Sequence, residues 1–163
     1  MIIVSIAEFS KHAFAAFQVV TLQVAATCRI ASVNVENHMM PFGHNLTTMH
    51  DAIDYNARVI FLANSNDPTG TYLKAKELED FLQSIPDSII VLIDEAYFQY
   101  VEAGDYPDST KWVSRFDNII VTRSFSKAYG LAGLRIGYAL SNKKITDLFV
   151  SISVISQAMF SNN

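Results

Sequence analysis

Short runs of apolar, often β-branched residues alternate along the chain with longer segments that have helical spacing. The runs are brief and bounded by polar or turn residues, and we predict strands at Ile2 to Ile6, Ile30 to Val35, Arg58 to Ala63, Ile89 to Ile93, Ile119 to Thr122 and Ile136 to Leu140. Such alternation is typical of βαβ units with parallel strands. The sequence therefore predicts an α/β fold, a mostly parallel sheet with helices on both faces.

Helical spacing occurs in four segments, which are Ala13 to Thr27, Thr47 to Tyr55, Lys74 to Ser84 and Lys143 to the C-terminus. In the third, the apolar residues recur at positions that share one helical face. Turn-forming residues cluster at Pro41 to Asn45, Ser65 to Gly70 and Gly104 to Ser109. Because no repeat or linker interrupts this pattern, we expect residues 1–163 to form one domain.

The composition narrows the class of partner. Half of the residues are apolar, 17% are charged and the net charge is -4, so the chain can bury a core but offers no basic surface for nucleic acid or membrane. Polar residues interrupt the apolar stretch Ala13 to Ala26, and Met1 to Ser10 lacks the basic start of a signal peptide. The single Cys28 suits a reducing compartment. We expect a soluble, cytoplasmic protein that acts on small molecules.

Three segments that could carry chemistry follow predicted strands, at the edge where open α/β sheets bind ligands. The first is Asn64 to Gly70, which read alone is an ordinary turn. The second is Val91 to Tyr97, in which an apolar strand runs into two acids and a tyrosine, and the acids could simply be solvated or cap a helix. The third, Val121 to Tyr138, combines serines, a lysine, glycines and arginines, each of which is common by itself. Together the three segments need a common explanation.

An aldehyde cofactor with a pyridine ring and a phosphate would use all three segments. Its aldehyde needs an amine such as Lys127, and its ring nitrogen needs an acid such as Asp94 to stay protonated. Its phenolic oxygen needs a hydrogen-bond donor, which Tyr97 can provide. Its phosphate needs hydroxyl donors and an arginine, and the residues of these types are Ser124, Ser126 and Arg135.

These motifs together resemble a known family. Asn-Asp-Pro-Thr-Gly, Asp-Glu-Ala-Tyr and Ser-Phe-Ser-Lys, with Arg eight residues beyond the lysine, occur in this order and are similar to fold-type I aminotransferases, which use pyridoxal 5'-phosphate. The run from Lys127 to Tyr138 is most similar to histidinol-phosphate aminotransferases. The resemblance implies the cofactor-binding large domain of that fold, a homodimer, and transfer of an amino group between histidinol phosphate and 2-oxoglutarate in histidine biosynthesis.

The resemblance also assigns roles to residues. Lys127 forms the Schiff base with the cofactor and moves the proton at the substrate's α-carbon, and Asp94 pairs with the pyridinium nitrogen. Tyr97 bonds the phenolic oxygen, and Phe14, in a segment that resembles the one placing an aromatic over the ring, stacks on the cofactor. The phosphate is held by Ser124, Ser126 and Arg135. No metal is expected, since the histidines are scattered, at His12, His38, His44 and His50.

One residue departs from the family pattern. The family has Asn directly before Pro-Thr-Gly, where it donates to the phenolic oxygen, whereas this chain has Asp67. An ionised Asp only accepts hydrogen bonds. We expect that Asp67 is protonated, or turns away, or impairs the site, and that Asn64 or Asn66 compensates.

Length is the other departure, because members of the family are much longer. The resemblance implies that residues 1–163 are the central part of the large domain, without the N-terminal arm and the small domain that grips the substrate carboxylate. We therefore expect a fragment with little or no transaminase activity by itself. Two alternatives stay open: a catalytically silent remnant of the fold that serves in binding or assembly, and a lyase or decarboxylase that uses the same cofactor.

Overall fold

The structure, a computed structural model, describes residues 2–3, 43–134 and 136–148. Its strands are β1 Ile2–Ile3, β2 Val59–Ala63, β3 Ile90–Asp94, β4 Ile119–Ser124 and β5 Gly137–Ser141. They form one sheet in the order β1-β2-β3-β4-β5, in which β1 to β4 are parallel and β5 runs antiparallel to β4. The predicted strand Ile30 to Val35 and helix Ala13 to Thr27 lie outside the described residues.

The helices of the described part are α1 Leu46–Asp51, α2 Ala75–Ser84 and α3, residues 143–148. Helix α1 begins where the Asn45 side chain accepts a hydrogen bond from the Thr48 amide at 3.0 Å. It ends earlier than the predicted Tyr55, because the Asp54 carboxylate accepts from the Asn56 amide at 2.9 Å and forms a competing local turn. Three short 3-10 helices lie at Phe98–Tyr100, Ser109–Trp112 and Ala132–Leu134.

The alternating residues of β2, β3 and β4 face two separate cores. On one face, buried residues of α1 and α2 pack with the strands in a cluster that contains Met49, Ile60, Leu62, Leu78, Phe81, Leu82, Val91, Ile93, Ile119 and Val121. On the other face, Ile145 of α3 packs with Phe61, Leu92 and Ile120. The predicted sheet with helices on both faces is therefore confirmed. Of the described helices, none is long and apolar enough to cross a membrane.

Strand β5 closes the sheet beside β4 through a very close backbone approach at Gly137. Gly137 pairs with Ser124, and a Cβ atom built on Gly137 would lie 2.7 Å from the Arg123 carbonyl oxygen. Only glycine avoids this clash without moving the β4 backbone. The pairing also positions the Lys127 loop, because β4 leads into this loop and β5 follows it.

We expect Gly137→Ala to lower the free energy of unfolding by about 1–3 kcal/mol, since a backbone shift is needed to accept the methyl group. Gly104→Ala is the matched control, because a Cβ atom at Gly104 meets nothing within 4 Å. Urea unfolding of both variants measures the difference. Equal stability of the two variants would show that β4 and β5 are not paired as described.

Candidate functional site

The three segments singled out in the sequence meet at one edge of the sheet. In the parallel register Ala63 lies beside Asp94, and Asp94 lies beside Thr122, so β2, β3 and β4 end at the same level. The chain leaves these ends in the turn with Asp67, the segment with Tyr97 and the loop with Lys127. Each segment thus reaches the carboxyl edge, as the strand pattern predicts.

The lysine loop, residues 125–136, is closed by its own backbone. The Phe125 amide donates to Ile136 O at 3.2 Å, where β4 passes into the loop and β5 begins, and the Leu131 amide donates to Phe125 O at 3.1 Å. Gly130, with φ +65, lets the chain turn so that its amide donates to Lys127 O at 3.0 Å. Lys127 is therefore carried on a folded turn that begins directly at a strand end.

Asp94 is a partly buried carboxyl group at the end of β3. Its Oδ1 accepts a hydrogen bond from Thr122 Oγ1 at 3.1 Å. Burial raises the pKa of Asp94 to about 6, although the Thr122 hydroxyl, the Ala96 amide and the Lys127 amine favour its ionised form. A cationic partner would therefore find a largely ionised carboxylate at neutral pH, in surroundings where the charge is poorly hydrated.

The raised pKa makes stability depend on pH with a definite sign. Between its ordinary value of 3.8 and about 6, folded Asp94 holds a proton that the unfolded chain has released, so stability falls as pH rises. We expect the wild type to lose about 2–3 kcal/mol relative to Asp94→Asn over this window. The exposed Asp87→Asn variant is the control. Denaturant unfolding at several pH values, without cofactor, tests this, and a wild type that tracks Asp94→Asn at every pH would contradict it.

Tyr97 connects Asp67 with Lys127. Its hydroxyl donates to Asp67 Oδ2 at 2.5 Å, and Lys127 Nζ lies 5.0 Å from the centroid of its ring. The hydrogen bond to Asp67 raises the pKa of Tyr97, and the Lys127 amine acts in the opposite direction. Asp67 thus lies against Tyr97 and accepts its hydroxyl hydrogen.

The two asparagines before Asp67 are engaged within their own turn. Asn64 is fully buried; its Oδ1 accepts from the Leu73 amide at 2.7 Å, and its backbone carbonyl accepts from the Tyr106 hydroxyl. Asn66 Nδ2 donates to Thr69 Oγ1 at 2.8 Å. These contacts engage both side chains within the turn and hold its shape.

The predicted phosphate contacts are described only in part. Ser124 lies at the end of β4, and its Oγ accepts from the Ser126 amide at 3.0 Å, which draws both serines into the start of the lysine loop. Arg135 and Phe14, the other predicted cofactor contacts, lie outside the described residues. Among the residues that are described, no group of His, Cys, Asp or Glu could hold a metal ion.

A buried ionic network beside the site was missed by the sequence reasoning. Arg123 donates from Nε and Nη2 to Glu95 Oε2 at 3.0 and 2.7 Å, and Nη2 also reaches Asp108 Oδ1 at 2.6 Å. Its guanidinium carbon lies 3.5 Å from the centroid of the Phe98 ring. Arg123 lies near the end of β4, which leads into the Lys127 loop, and Glu95 directly follows β3, so the network joins the ends of these two strands. The one signal of this ionic network in the sequence is a second acid, Glu95, directly after Asp94.

Comparison with known proteins shows the family to which the chain belongs. Residues 18–160 match the family model described as aminotransferase class I and II. The chain is 46% identical over 142 residues to histidinol-phosphate aminotransferase 2 of Methylococcus capsulatus, which covers 87% of this chain and 38% of that protein.

Solved structures have the same fold. The crystal structure of histidinol-phosphate aminotransferase from Sinorhizobium meliloti in complex with pyridoxal-5'-phosphate has a TM-score of 0.68 and 31% identity, over 76% of this chain and 33% of that one. A decarboxylase from Sulfurospirillum multivorans, with a TM-score of 0.66 and 23% identity over 76% of this chain and 36% of its own, shares the fold alone. The chain thus spans less than two fifths of the length of each relative. Since the family model extends over most of its residues, the chain belongs to the aminotransferase class I and II family, whose cofactor is pyridoxal phosphate.

Proposed function

We propose that this protein is an aminotransferase that moves an amino group between histidinol phosphate and 2-oxoglutarate. One observation carries the proposal: a partly buried carboxyl group, Asp94, ends β3, and an amine, Lys127, follows the neighbouring β4, at the edge where this fold binds ligands. The names of the relatives support the choice of histidinol phosphate. The 2-oxo acid is the acceptor that the resemblance implies.

The residues at this edge fit pyridoxal phosphate in most respects. Lys127 would carry it covalently, Asp94 would pair with its ring nitrogen, and Tyr97 would lie at its phenolic oxygen. Ser124, Ser126, Arg135 and Phe14 are the further proposed contacts, to the phosphate and the ring face. When bound, the cofactor supplies an electron sink for the pair of electrons left when the substrate loses its α-proton. The one poor fit is Asp67, whose carboxylate accepts the Tyr97 hydrogen.

Lys127 is the proposed general base and acid. Its amine, once neutral, would take the proton from the substrate's α-carbon and deliver it to the carbon of the cofactor's aldehyde group, and the turn closed by the Gly130 amide fixes the backbone from which this side chain extends. The amine lies over the ring of Tyr97, 5.0 Å from its centroid, so a cation–π contact favours this position. Asp94 stays in place through Thr122 and, being mostly ionised above about pH 6, keeps a ring nitrogen protonated.

The wider setting is also a proposal. We propose a homodimer in the cytoplasm that acts in histidine biosynthesis, with residues 1–163 as part of the cofactor-binding large domain. A small-molecule substrate is consistent with the net charge of -4 and the absence of a basic cluster in the sequence.

Product analysis tests the proposal directly. The protein as its gene encodes it is incubated with pyridoxal phosphate, histidinol phosphate and 2-oxoglutarate, and the products are separated. We expect glutamate to form in step with loss of histidinol phosphate. In a parallel incubation, an amino acid, which unlike histidinol phosphate has a carboxylate to lose, replaces the histidinol phosphate, and release of carbon dioxide there would favour the decarboxylase alternative. Cofactor binding without any product would favour the catalytically silent remnant. This alternative is a specific one, because Asp67 stands where the family pattern has Asn.

A further inference from the structure

We propose that Asp67 makes cofactor binding proton-linked, so that the site takes up a proton at Asp67 when a phenolate oxygen occupies the place beside Tyr97. The inference rests on the proposed function and extends it to the control of binding by pH. It starts from a contact that the family pattern does not contain, the hydrogen bond from the Tyr97 hydroxyl to Asp67 Oδ2 at 2.5 Å.

The count of hydrogens carries the inference. A tyrosine hydroxyl has one hydrogen to donate, and an ionised carboxylate has none. When a phenolate oxygen lies beside Tyr97, two anionic acceptors, this oxygen and Asp67, compete for that one hydrogen. The acceptor that does not receive the hydrogen is left as an unpaired anion close to another anion, which costs free energy. One proton from solvent, added to the Asp67 carboxyl, gives the group a hydrogen to donate and removes the repulsion.

The surrounding charges do not remove this need. From the segment after β3, Tyr97 and Asp94 face the site, and Glu95 beside them is already paired with Arg123. From the loop after β4 comes Lys127, which favours the ionised form of Tyr97. Lys127 is also the amine proposed to form the covalent bond with the cofactor, after which its nitrogen is no longer a free ammonium group that could move towards Asp67. The Asp67 carboxylate would therefore depend on another source for the missing hydrogen.

The neighbouring asparagines are held in contacts of their own. Asn66 Nδ2 donates one of its two hydrogens to Thr69 within the same turn, and Asn64 is fully buried with its amide group bonded to Leu73. Asp67, by contrast, is exposed and can exchange a proton with solvent. An asparagine at position 67 would carry its hydrogens at every pH, so the proton uptake belongs to the aspartate.

The test compares wild type with Asp67→Asn in binding, not activity. Dissociation constants for pyridoxal phosphate are measured across the neutral range, and proton uptake is measured by calorimetry in buffers of different ionisation enthalpy. We expect wild-type affinity to weaken, relative to Asp67→Asn, by up to about tenfold per pH unit as pH rises, with one proton more taken up. Asp67→Asn should bind more tightly at the alkaline end.

A second tyrosine–aspartate pair provides the control. Tyr72 donates to Asp105 Oδ1 at 2.8 Å, on exposed side chains outside the proposed site, so Asp105→Asn should keep the wild-type pH profile. Parallel pH profiles of wild type and Asp67→Asn would overturn the inference and leave the proposed function standing. No binding by either protein at any pH would overturn both.

Discussion

Lys127→Ala is expected to abolish covalent attachment of pyridoxal phosphate and to lower turnover by a factor of at least about 10²–10⁴, the usual contribution of one positioned acid–base group. The loss should exceed that of any other site variant, because the same amine is proposed to hold the cofactor and to move the proton. The fold should survive, since Lys127 is a half-buried residue of the loop after β4 and belongs to neither apolar core.

Absorbance of the cofactor-loaded protein and single-turnover conversion of histidinol phosphate measure these two effects. Lys144→Ala is the control, because Lys144 is an exposed lysine in α3 and should leave both signals unchanged. A Lys127→Ala protein that keeps the absorbance band of a covalently bound cofactor would contradict the role given to Lys127.

Arg123→Ala is expected to lower the free energy of unfolding by about 3–5 kcal/mol, the usual effect of breaking a buried ion pair from one side. Glu95 is fully buried, and burial raises its pKa while Arg123 favours its ionised form. Without the guanidinium, Glu95 must become protonated or remain an unpaired buried charge. The contact of Arg123 with the Phe98 ring is lost as well.

Arg115→Ala is a close control for the Arg123 variant. Arg115 Nη2 pairs with Glu79 Oε1 at 2.6 Å and its guanidinium lies 5.5 Å from the Phe116 ring centroid, but its side chain is 52% exposed, against 10% for Arg123. An exposed pair contributes about 0–1 kcal/mol. Denaturant unfolding measures the loss in free energy of unfolding for Arg123→Ala and for Arg115→Ala. Similar losses in the two variants would mean that the ion pairs of Arg123 are as accessible to solvent as the ion pair of Arg115.

Much of the sheet could be predicted from sequence, because buried parallel strands are continuous apolar runs. The predicted Arg58 to Ala63 and Ile89 to Ile93 each differ by about one residue from the observed β2 and β3. Helix α1 was predicted too long, since helical spacing does not register the local turn that Asp54 forms. Local turn chemistry overrode the periodic pattern there.

The site was predictable to the extent that strand order brings segments together. Asp94, Tyr97 and Lys127 follow strands that are neighbours, so their meeting follows from the βαβ pattern. The partners of Arg123 were not predictable, because Glu95 and Asp108 are distant in sequence and any exposed acid could have served. Likewise, the residue type at position 67 shows that an ionised carboxylate has no hydrogen to donate, but only the structure shows that it accepts the hydroxyl hydrogen of Tyr97.

The most direct test of the central claim is to locate the covalently modified residue. The protein is loaded with pyridoxal phosphate, reduced with borohydride, digested, and its peptides are sequenced by mass spectrometry. Since the chain contains several lysines besides Lys127, the modified peptide discriminates among them. We predict that the cofactor is found on Lys127. Stoichiometric modification of another lysine, with Lys127 unmodified, would contradict the assignment of this edge of the sheet as the active site.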